Sequence, residues 1–288
     1  MSVHSLCSHT SFVAASYIVG EQVGVVPIKG EIVSETVDTV FQTQIGARDL
    51  VKLIKEADED PNVPVIFLDI NSGGGSVVAS KEIMRAVRDT NKPVVAYIGD
   101  VGASGAYYIA SAADEIIADE DSLTGSIGVT ATLMNYEELL NKVGVNVTVL
   151  KEGKYKTMGS PFEELTEEEK KIFQSIILDA YNDFKKDVLE NRKGKLSEEE
   201  LDEIADGRIL NGRQALEYHL VDYVGSREFA LKRAAKLGGI EGEPTEKIFT
   251  LRRNPLTGMF EQVGFYFGKG LLEGLRSRNL ELRAIVGE

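Results

Sequence analysis

Residues 63–76 read VPVIFLDINSGGGS. Val63 to Ile70 is almost continuously apolar, the composition of a strand covered on both faces, as in a parallel sheet. Three glycines follow directly. They let the backbone turn through φ values closed to other residues and approach a ligand closely. The same pairing returns downstream: Pro93 to Ile98 (PVVAYI) reads as a second buried strand, and Gly102 to Gly105 (GASG) as a second tight turn. Between them, Ser76 to Val87 has helical character. Upstream, Gln22 to Ile28 is valine-rich and strand-like, and Ala47 to Ala57 puts Leu50, Val51, Ile54 and Ala57 on one helical stripe. Downstream, Ser104 to Ala113 reads as helix, and Glu115 to Ala118 and Val145 to Leu150 as strands. This alternation predicts βαβ units and an α/β layered fold.

Past Met158 the pattern changes. Thr166 and Glu169 form a capping box. After it, Ile172, Phe173, Ile176, Ile177, Ala180, Phe184 and Val188 make the stripe of a long amphipathic helix. A charged segment, 191–206, precedes GRILNGRQALEYHLVDYVG at 207–225. From about Glu246 the chain is less regular and carries Phe260, Val263, Phe265, Phe267, Leu271 and Leu272. No linker rich in Pro, Gly or Ser separates two halves, so one α/β domain with helical and C-terminal extensions is expected.

Of 288 residues, 43% are apolar and 27% charged, which excludes a disordered or collagen-like chain. Lys and Arg number 32 against 46 Asp and Glu, a net charge of −14. Such a surface repels phosphate backbones, so nucleic acid is not an expected partner. Cys7 is the single cysteine, which rules out an intrachain disulfide and a thiolate zinc site. No metal and no cofactor are expected. The histidines are His4, His9 and His219. The most apolar N-terminal run, SFVAASYIVG at 11–20, is too short to span a bilayer and lacks a basic flank.

The two glycine-rich turns follow successive strands, so they fall side by side at the edge where α/β sheets bind ligands. Exposed N–H groups in such turns can hold a developing oxyanion. Ser104 stands between small residues at the start of a helix, open to a substrate carbonyl, and is the candidate nucleophile; an N-capping serine is the structural alternative. A serine needs a base. The candidates are His219, in a helix-end context, and a lysine kept neutral by burial, from Lys151, Lys154 and Lys156.

Five motifs in order, NSGGGSV at 71–77, GDVGASGAYYIASAAD at 99–114, TGSIGV at 124–129, KEGKYKTMGSPFEELTEEE at 151–169 and GRILNGRQALEYHLVD at 207–222, resemble those of the signal peptide peptidase A family. These are serine peptidases of the Clp/crotonase superfamily, and the resemblance covers about residues 22–240. It implies stacked ββα units with a long helical extension, arranged as an N-terminal tail (1–20), a peptidase domain (21–240) and a C-terminal extension (241–288). It also implies a Ser–Lys dyad, in keeping with the scarcity of histidine. Ser104 matches the nucleophile and Lys156 the general base, with Lys154 as the fallback. Ser126 matches the serine that orients the lysine, and Gly74 and Gly75 with the Gly105 amide match the oxyanion hole. Many relatives have Pro–Gly–Gly where this chain has Gly73-Gly74-Gly75.

The implied substrates are hydrophobic peptides such as released signal peptides, cleaved inside a homo-oligomeric ring. The expected location is cytoplasmic or membrane-associated, and the apolar stretch Phe260 to Leu272 is read as packing on a neighbouring subunit, lying peripherally at a membrane surface, or forming a plain core helix. The competing readings are a silent peptide-binding scaffold, a crotonase-type acyl-CoA enzyme, and a Clp-type peptidase with a histidine base.

Overall fold

The computed structural model describes residues 21–38, 43–44 and 46–251. The expectations for the N-terminal tail and for Phe260 to Leu272 lie outside the described residues.

The strands are β1 (Val23–Lys29), β2 (Val37–Asp38), β3 (Thr43–Gln44), β4 (Val65–Ser72), β5 (Val94–Ala103), β6 (Glu115–Ala118), β7 (Leu123–Gly125), β8 (Ile209–Asn211), β9 (Tyr223–Val224) and β10 (Glu246–Ile248). The helices are α1 (Ala47–Glu59), α2 (Val77–Arg88), α3 (Gly105–Ala110), α4 (Glu137–Lys142), α5 (Glu167–Asn191), α6 (Glu198–Ile204), α7 (Gly212–Glu217) and α8 (Arg227–Leu237). Strands β10-β1-β4-β5-β6-β9 form one parallel sheet in that order. β7 adds in parallel to the end of β5, and β8 pairs antiparallel to β7.

The unbroken apolar runs follow from burial on both faces. Ile66, Leu68 and Ile70 of β4, with Ala96 and Ile98 of β5, point to the face covered by α1, α2, α3 and the end of α5. Val65, Phe67, Val95 and Tyr97 point the other way, against Ala230, Leu231, Ala234 and Ala235 of α8. Alternate residues thus fill two cores, the period-2 geometry of a strand.

Two expectations are corrected. Val145 to Leu150 forms no strand: it lies in an irregular segment, and Leu150 is 93% exposed. Its valines alternate as a strand would, but no strand among the described residues pairs with it. The stripe of α5 is buried only toward its C-terminal end, at Phe184 and Val188, whereas Ile176 is 56% exposed. The capping box of Thr166 and Glu169 is present. Among the described residues, no helix is long and apolar enough to cross a membrane.

Candidate active site

β4 and β5 are direct parallel neighbours, so the turns that follow them meet at one edge of the sheet. The first turn is held by Ile32. Its N–H donates to the Gly74 carbonyl at 2.9 Å, and its own carbonyl accepts from the Ser76 N–H at 2.8 Å. This bridge spends the groups on either side of Gly75 and turns the Gly75 N–H away from Ile32. Gly74, at φ 97°, donates its N–H to the buried Ser72 hydroxyl at 3.1 Å. A Cβ on Gly74 would lie 2.7 Å from the Gly105 nitrogen and 3.0 Å from the Ser104 Cβ, so only glycine lets the two turns touch.

The second turn carries Ser104 at φ 52° and ψ −122°, a region that L-residues rarely occupy and that costs on the order of 1–3 kcal/mol. Its N–H donates to the Gly125 carbonyl at 2.8 Å, and its carbonyl accepts from the Tyr108 N–H at 2.9 Å. Its side chain makes no capping bond, so the hydroxyl is not consumed by the helix start. A Cβ on Gly105 would lie 2.2 Å from the Ser80 hydroxyl and 3.3 Å from the Gly75 nitrogen. The N–H groups of Gly75 and Gly105 make no hydrogen bond among the described residues.

Ser126 follows Gly125, whose register partner is Ala103, so it emerges beside Ser104. It too has a positive φ, 51°, fixed by an N–H bond to the Arg208 carbonyl at 2.8 Å.

None of the three candidate lysines bonds to Ser104 or Ser126 among the described residues. Lys151 pairs with Glu163 at 2.8 Å, and Lys154 with Glu168 at 2.5 Å. Its hydrogen bonds to Glu168 and Tyr155 hold the Lys154 ammonium well above the usual lysine range. Lys156 is exposed and makes no side-chain bond, to Ser104 or otherwise, among the described residues. The segment bearing it, 129–164, exposes Met134, Leu139, Val143 and Leu150. The expected burial of Lys156 is therefore not met within one chain. His219 pairs with Glu200 at 2.9 Å and is exposed, with no link to Ser104.

The unspent role of Ser72, which takes the Gly74 N–H, had no signal in the sequence beyond its place before the glycines. A strained serine with a free hydroxyl, beside unpartnered backbone N–H groups at a sheet edge, is the arrangement of an acyl-transferring serine enzyme. The chain belongs to peptidase family S49, whose model matches residues 86–241, and it is a peptidase of the serine type. A protein of Methanocaldococcus jannaschii described as a protease is 40% identical over 241 residues, 83% of this chain and 77% of that one. A protein of Enterococcus faecium named as a signal peptide peptidase is 37% identical over 196 residues, 67% of this chain and 56% of its own. Among solved structures, a membrane-bound stomatin-specific protease aligns with a TM-score of 0.50 at 16% identity, over 82% of this chain and 100% of that one. At that identity the likeness speaks for the fold alone.

Proposed function

We propose that this peptidase cleaves hydrophobic peptides, released signal peptides among them, through an acyl-enzyme on Ser104 with Lys156 as general base. The observation that carries the reading is the Ser104 turn: a strained backbone, an unspent hydroxyl, and the free N–H groups of Gly75 and Gly105 alongside. Lys156 takes the Ser104 proton, and Oγ attacks the scissile carbonyl. The two N–H groups stabilise the oxyanion, each worth about 3 kcal/mol. Gly74 contributes close approach rather than a donor, because its own N–H is bound to Ser72. The lysinium then protonates the leaving amine, and the same base activates water for deacylation. Ser126, next to Ser104, orients the lysine amine.

Lys156 is the base because its rivals are committed. Lys151, Lys154 and His219 each have a carboxylate partner. A lysine acting as general base must be neutral when it takes the proton. In a homo-oligomeric ring, the exposed apolar side chains of 129–164 pack on a neighbouring copy, and burial there brings Lys156 to a serine. The test is turnover of a fluorogenic hydrophobic peptide by wild type, Ser104→Ala and Lys156→Ala from about pH 6 to 10. Both variants inactive and a wild-type rate rising toward alkaline pH support the dyad. An active Ser104→Ala would instead favour a crotonase-type enzyme, and a silent wild type a binding scaffold.

A further inference from the structure

The turn that carries Lys156 is gripped from two sides. Glu168 is the second residue of α5, where the helix dipole favours an anion. Its Oε2 accepts from Lys154 Nζ at 2.5 Å, and its Oε1 accepts from the Tyr155 hydroxyl. The Lys154 ammonium also lies 4.9 Å from the centroid of the Tyr155 ring. On the other side of Lys156, the Thr157 hydroxyl donates to Glu163 at 2.7 Å, and Lys151 donates to both Thr157, at 2.7 Å, and Glu163. Gly153 and Gly159, at φ 96° and 82°, bracket the turn. Inside it, the Lys156 N–H donates to the Gly153 carbonyl at 3.2 Å and the Met158 N–H to the Tyr155 carbonyl at 3.1 Å. The side chains before and after Lys156 are thus anchored, and that of Lys156 is left free.

We propose that Glu168 is a positioning residue for the base: by holding Lys154 and Tyr155 together it fixes where the Lys156 side chain starts and keeps Lys154 from competing for the serine. The inference rests on the Ser104–Lys156 reading. Glu168 has no direct role in the chemistry. A purely structural role predicts that turnover is lost only together with Tm, and exposed ion pairs contribute little to stability. A positioning role predicts a loss in kcat, because a displacement of about 1 Å in a reacting group costs up to about 100-fold.

The experiment uses the full chain and a fluorogenic hydrophobic peptide, with kcat, KM, the pH–rate profile and Tm measured for Glu168→Gln, Tyr155→Phe, Lys154→Met and Lys156→Ala. Glu168→Gln is expected to lower kcat about 10- to 100-fold with KM and Tm nearly unchanged. Tyr155→Phe and Lys154→Met each remove one of the two anchors that Glu168 holds, so both should fall between Glu168→Gln and wild type. The proposal is overturned if Lys156→Ala is inactive while Glu168→Gln keeps its kcat within about two-fold. It is equally overturned if Glu168→Gln loses Tm along with kcat, which makes the role structural. An active Lys156→Ala overturns the dyad itself, an outcome separate from both.

Discussion

Replacing Gly73 by proline should stabilise this protein and leave the proposed oxyanion turn intact. The three consecutive glycines are not equivalent. Gly74 and Gly75 have φ values of 97° and 157°, and Cβ atoms there would lie 2.7 Å from the Gly105 nitrogen and 2.2 Å from the Ile32 carbonyl oxygen. Gly73 has no positive φ, is exposed, and a Cβ on it would meet nothing within 4 Å. Its N–H makes no hydrogen bond among the described residues, so proline removes no donor in use. The residue before it, Ser72, ends β4 and is extended, as a residue preceding proline must be. Restricting the unfolded chain at such a site is worth about 0.4–1 kcal/mol. At roughly 2–4 °C per kcal/mol for a chain of this size class, Tm should rise by about 1–4 °C. Differential scanning calorimetry and peptide turnover of Gly73→Pro and Gly73→Ala provide the assay. Turnover should be retained or raised, because a stiffer turn holds the Gly75 N–H in place. A Gly73→Pro variant that melts lower than wild type, or loses activity while Gly73→Ala keeps it, would refute the reasoning.

Three further outcomes follow from the same geometry. Ser104→Gly should abolish turnover yet raise stability by about 1 kcal/mol, read by chemical denaturation, because glycine relieves the strained φ of 52°. Gly75→Ala should lose activity and stability together, since its Cβ lies 2.2 Å from the Ile32 oxygen; circular dichroism melts and peptide turnover would show both. Asp222 accepts two bonds from the fully buried Arg192, at 2.9 and 3.1 Å. Burial alone would raise its carboxyl, but Arg192, Lys195 and the Ile116 N–H outweigh that and hold it below the usual carboxylate range. A depressed folded value means stability present above the unfolded value of about 3.9 and lost as pH falls through the folded one. Asp222→Asn should therefore cost about 3–5 kcal/mol near neutral pH and flatten the acid limb of the stability profile.

Much of the architecture is legible in the sequence because the sheet is parallel and buried. Val63 to Ile70 and Pro93 to Ile98 announce themselves by composition, and strand adjacency then brings their turns together without further information. Glu115 to Ala118 forms over the residues its apolar run suggests. The readings that fail do so for a shared reason. Val145 to Leu150 has the alternation of a strand, yet a strand needs a neighbour to pair with, and periodicity does not report neighbours. β7 and β8, three residues each, are too short to show a period, although β7 sets Ser126 beside Ser104. The Gly74 N–H is taken by Ser72 two residues away, whereas the course of the turn at Gly75 depends on the Ile32 bridge, a contact across more than forty positions of sequence that local pattern cannot reveal.

The proposed nucleophile and oxyanion donors stand in the turns that follow β4 and β5, central strands of the sheet with cores on both sides. Lys156 sits on an exposed segment outside that sheet, tied down through surface carboxylates. Local stability differs between such regions, and peripheral segments open at lower cost than the centre. Warming would then separate the two halves of the machinery in time. The proposed base would come loose while the sheet still holds the serine in its strained pose, and proteolysis would switch off, reversibly, at a temperature where the fold has not begun to melt.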